Sequence, residues 1–75
     1  KQAQLDVAVE EMAELTKEII KSKRGASNYH QIVEELADVY IMMTQIKLIY
    51  GIYDEELINA MDLKIARLEK RLQND

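Results

Sequence analysis

A chain of 75 residues with no cysteine, no proline and two glycines is one small domain, here 1–75, held together without disulfides. At this length folding buries only about 60% of the unfolded surface, so a bound metal or oligomerisation is expected to supply the remaining stability. Fourteen acidic against ten basic residues, a net charge of −4, argue against a nucleic-acid polymer as partner but leave room for a small phosphorylated ligand whose charge cations offset.

No apolar run approaches the ~18 residues of a transmembrane span, and no stretch reads as a signal peptide, so no membrane partner is expected. The lack of cysteine suits a reducing compartment, and a cytoplasmic setting is the expectation. Abundant Leu, Ile, Ala, Glu and Lys favour helix throughout.

The first helix is predicted from near residue 2 to near Lys23. Leu5, Ala8, Met12, Leu15 and Ile19 recur at helical spacing as a core stripe, widened by Val9 and Ile20. Glu11, Glu14 and Glu18 fall in one narrow band beside that stripe. The segment 22–28 reads as a helix end and loop: Gly25 suits a left-handed cap, and Ser27 or Asn28 suits the N-cap of the next helix. The second helix is predicted over about 29–50, with Ile32, Leu36, Val39, Met43, Ile46 and Tyr50 as a two-per-heptad seam. Its other faces are also apolar, so a second chain is expected to cover part of it. Glu35, Asp38 and Gln45 form a polar band next to the seam.

Gly51 ends that helix, and Asp54 is the expected N-cap of a third, with Glu55 and Glu56 at the positive end of its dipole. Leu57, Met61, Ile65, Leu68 and Leu72 are its core stripe. Lys64, Arg67 and Arg71 lie on one flank, Asp62 and Glu69 on the other. The fold class is therefore all-α, a three-helix chain, with a partner chain expected over part of the second helix.

The chemistry-bearing residues are two acidic pairs, Glu11/Glu14 and Glu35/Asp38. Residues three apart on a helix are surface neighbours, so each pair offers two carboxylates to one point. Glu11/Glu14 alone reads most simply as a solvated face with Lys17 and Lys21 as partners. Asp38 is harder to explain that way, because it stands at the entrance to the most apolar segment and Asp is a poor helix former. If the first two helices pack as an antiparallel hairpin, all four carboxylates come to one level and call for a cation. With no Glu-x-x-His motif and no cysteine, the oxygen-only set favours Mg²⁺, or Mn²⁺, over iron or zinc. His30 is assigned no role, and Tyr29, Tyr40, Tyr50 and Tyr53 read as packing residues before base-stacking ones.

At these positions the sequence resembles the all-α nucleoside triphosphate pyrophosphohydrolases of the MazG type. The shared pattern is Glu10-Glu11-Met12-Ala13-Glu14-Leu15 followed by Glu34-Glu35-Leu36-Ala37-Asp38-Val39; Gln4, the Lys-Arg-Gly loop and the segment Lys64-Ile65-Ala66-Arg67-Leu68 also look like the small single-domain members. The resemblance implies a helical bundle completed by homo-oligomerisation, as a dimer or tetramer, that hydrolyses a nucleoside triphosphate to the monophosphate and pyrophosphate. It implies Glu11, Glu14, Glu35 and Asp38 as Mg²⁺ ligands and Lys64 and Arg67 as phosphate contacts. Glu14 or the nearby Glu18 is the candidate to accept the proton of the attacking water. The competing expectation is a non-enzymatic helical oligomerisation or regulatory module, in which the acids are solvated and Asp38 pairs with a base from another helix.

Overall fold

The computed structural model describes residues 1–74. Three helices follow one another: α1 (Gln2–Lys23), α2 (Tyr29–Tyr50) and α3 (Asp54–Asn74). The described residues contain no strand, and none of the helices is long and apolar enough to cross a membrane.

α1 and α2 end in the same way. Gly25 (φ 95°) and Gly51 (φ 66°) take the left-handed conformation that costs a glycine nothing. Just beyond them the Ala26 N–H returns to the Lys21 carbonyl at 3.1 Å and the Ile52 N–H to the Lys47 carbonyl at 2.9 Å, the six-to-one closure of a Schellman cap. The start of α3 differs by one residue from expectation. Tyr53 rather than Asp54 precedes the helix: its carbonyl accepts from the Leu57 N–H, and its own N–H donates to Glu56 Oε1 at 3.1 Å. That last bond is the reciprocal half of a capping box, with the acid reaching back to the residue before the helix. Asp54, Glu55 and Glu56 occupy the first turn as expected.

α1 and α2 pack as an antiparallel hairpin, and all helix-to-helix packing within the chain lies between them. Both helices are rotated relative to the stripes read from the sequence. On α1 the least exposed positions are Leu5, Ala8, Glu11, Leu15 and Glu18, whereas Met12 and Ile19 stay nearly half exposed. On α2 the half-buried positions include Ile32, Glu35, Val39, Met42, Ile46 and Ile49, whereas Leu36, Met43 and Tyr50 lie further out. The pair thus turns its acidic edge inward and leaves part of its apolar surface bare. Ala8, 2% exposed, is the one fully buried apolar residue among those described.

α3 does not join this pair. An ion pair between Lys47 and Asp54, and an apolar hollow lined by Met43, Ile46, Ile52 and Leu57, set the corner at which it departs. Beyond the corner every described α3 residue is exposed, including the intended core stripe, which ranges from 39% at Leu57 to 68% at Leu72. The radius of gyration, 15.7 Å, exceeds the about 11 Å of a compact chain this long, and the extents of 37 × 35 × 16 Å describe a flat, angled molecule. The single chain is not a closed bundle.

Candidate metal centre

The rotation of the hairpin decides what its acids meet. Glu11 comes from the middle of α1, and Glu35 and Asp38 come from adjacent turns of α2, brought opposite by antiparallel pairing. One carboxylate oxygen from each of these three lies within 4.8 Å of the other two. Glu11 and Glu35 are half-buried, and Glu35 Oε2 is buried without a hydrogen-bond partner. A buried carboxylate oxygen left unpaired is costly.

The electrostatics follow from the crowding. Burial pushes the Glu11 carboxyl above its ordinary value, and contact with Asp38 together with the negative charges of Asp38 and Glu35 pushes it further. Three hard oxygen donors at this separation suit a small divalent cation, which would offset their mutual repulsion.

Glu14, one turn further along α1, is exposed and its carboxylate is outside this group. Glu18 is occupied elsewhere. It is buried, and the Asn28 amide donates to its carbonyl at 2.8 Å and to its Oε1 at 3.1 Å, while Lys21 Nζ lies 3.3 Å from Oε2. Its carboxyl is held below the ordinary value, chiefly by the Asn28 hydrogen bond and then by Lys21 and Lys17, against the opposing effect of burial. Asn28, expected only as a helix cap, makes no side-chain cap bond; it latches the loop to α1. An asparagine in a helix-joining loop signals capping by its type, and nothing in the local sequence names a partner ten residues earlier.

Lys64 and Arg67 share one face of α3, where they line an open hollow with Leu68 and Arg71. Because α3 meets α2 only at the corner around Asp54 and Leu57, these bases are not brought to the carboxylates within one copy. Of the residues singled out from the sequence, the structure brings together Glu11, Glu35 and Asp38; Glu14, Glu18, Lys64 and Arg67 stand apart from that group. In comparisons with protein-family models, curated proteins and solved structures, none matched this chain.

Proposed function

We propose that the chain is a Mg²⁺-dependent nucleoside triphosphate pyrophosphohydrolase, yielding the monophosphate and pyrophosphate from a ribo- or deoxyribonucleoside triphosphate. The observation that carries the reading is the convergence of Glu11, Glu35 and Asp38, where Glu35 also keeps one buried oxygen without a hydrogen-bond partner. The resemblance of the two acidic motifs to the MazG type supplies the reaction class.

In this reading Glu11, Glu35 and Asp38 would hold the cation, and Glu14, expected as a fourth donor, stands beside that group rather than in it. Mg²⁺, or Mn²⁺ in its place, would supply charge neutralisation for the triphosphate and a more acidic bound water there. Glu14 is the better candidate to take the water proton, since both Glu18 oxygens are engaged by Asn28 and Lys21. Lys64 and Arg67 stabilise phosphate charge, and because α3 stands off its own hairpin they do so only in a homo-oligomer. A pyrophosphate-release assay across the ribo- and deoxyribonucleoside triphosphates tests this directly. Release with Mg²⁺ and none in chelator is expected; no release from any of the triphosphates rejects the activity.

The uncovered apolar face of α3 favours a second reading, a helical oligomerisation or regulatory module without turnover. That module would assemble through the same bare surfaces and release no pyrophosphate.

A further inference from the structure

α3 carries a five-position heptad seam that none of the described residues covers. Ile58, Met61, Ile65, Leu68 and Leu72 alternate by three and four residues, and each is between 47% and 68% exposed. With Ile58, Ile65 and Leu72 at the a positions, Met61 and Leu68 fall at d. Isoleucine holds two of the three a positions and leucine one of the two d positions, partway to the pattern that gives a parallel coil two strands.

The flanks distinguish the possible occupants. The e positions are Glu55, Asp62 and Glu69, all acidic; the charged g positions are Lys64 and Arg71, both basic. Two copies of α3 lying antiparallel would set e against e and g against g, acid on acid and base on base. Two copies lying parallel and in register set each g against the e of the following heptad, so Lys64 meets Glu69 of the partner subunit, twice by symmetry.

We propose that α3 pairs with α3 of a second copy as a parallel, in-register coiled coil, projecting from two separate α1/α2 hairpins. The departure of α3 from its own hairpin leaves the seam free for this partner and leaves the hairpin's bare apolar edge as a separate surface. The pairing is independent of the metal reading and stands if no cation binds. It bears on that reading in one respect: this pairing engages Lys64 and does not itself carry Arg67 to the carboxylates, so phosphate contact would need a further association through the hairpin's bare edge.

The chain has no native cysteine, so single substitutions read the geometry cleanly. Met61→Cys and Leu68→Cys are introduced separately into the full chain, oxidised mildly and run under non-reducing conditions, with Leu63→Cys on the outer face as control. A parallel in-register pair places identical d residues opposite each other, within the Cα separation a disulfide spans. Linked dimer at both 61 and 68, at least several-fold above the control, is expected. An antiparallel pair opposes identical residues only at its midpoint, so linkage at one position alone overturns the proposal. Linkage at neither, or equally at 63, overturns it too and assigns α3 to another surface or to chance collision. Sedimentation then reads the charges: Lys64→Glu should shift the population toward monomer, and Lys64→Glu with Glu69→Lys should restore the dimer. A double variant no more dimeric than the single one removes the orientation argument.

Discussion

Glu11 and Glu18 are the same residue type on the same inward stripe of α1, two turns or about 10 Å apart, and their environments are opposite. Glu18 has an amide against one oxygen and an ammonium against the other, and its carboxyl is held below the ordinary value. Glu11 faces two further acids, and its carboxyl is pushed up. Glu18 is the more buried of the two, so burial alone does not order them; the neighbours do. Where the chain intends a carboxylate as a structural latch, it supplies the cationic and amide partners itself. At Glu11, Glu35 and Asp38 the described residues supply no such cationic partner.

The contrast breaks first at Asp38. Asp38→Asn should lower Mg²⁺-dependent pyrophosphate release by more than about 100-fold, since even partners outside the coordinating set cost about 10–100-fold in metal affinity or activity. Helix content by circular dichroism should be nearly unchanged, because the residue lies mid-helix and caps nothing. Retained Mg²⁺-dependent turnover would remove Asp38 from the site.

The latch should respond the other way. Asn28→Ala removes a buried amide that donates twice, and is expected to lower unfolding stability by about 1–3 kcal/mol in denaturant titration. Turnover below the new melting point should be unaffected. A variant as stable as the parent would mean the loop is held by its backbone alone.

The smallest effect is in pH. Glu11 binds its proton more tightly folded than unfolded, so its contribution to metal-free stability is full below the ordinary value of 4.5 and is lost as pH rises through the raised value. Glu18 is the reverse: its contribution is present above 4.5 and is lost as pH falls through the depressed value. In chelator, Glu11→Gln should therefore flatten the loss of melting temperature on the alkaline side of 4.5, and Asn28→Ala the loss on the acid side. An unchanged alkaline-side slope in Glu11→Gln would show that the cluster is solvated.

Much of the fold was legible in the residues. Gly25 and Gly51 mark both helix ends by their tolerance of positive φ, and periodicity places all three helices. The rotation of the hairpin was not legible. On α1 the apolar residues Met12 and Ile19 sit one position from Glu11 and Glu18, and on α2 Leu36 and Met43 sit one position from Glu35 and Met42. A stripe broad enough to serve two neighbours does not say which edge faces which, and the inward choice went to the edge carrying the acids. Three of the four carboxylates picked out by their spacing do converge; Glu14 stays outside because it lies about 60° further round α1 than Glu11, and the rotation that brings Glu11 inward leaves it exposed. The place of α3 was illegible for a related reason: an amphipathic helix announces that it has a partner without saying whether the partner belongs to its own chain.

The most direct test is thermal melting in chelator and in saturating Mg²⁺, for the parent chain and for Asp38→Asn. A cation that binds only the folded state adds about 2.7 kcal/mol at a concentration one hundred times its Kd, so the parent midpoint should rise clearly and the variant midpoint should not. Equal midpoints for the parent with and without Mg²⁺, at matched ionic strength, would contradict a metal centre at Glu11, Glu35 and Asp38.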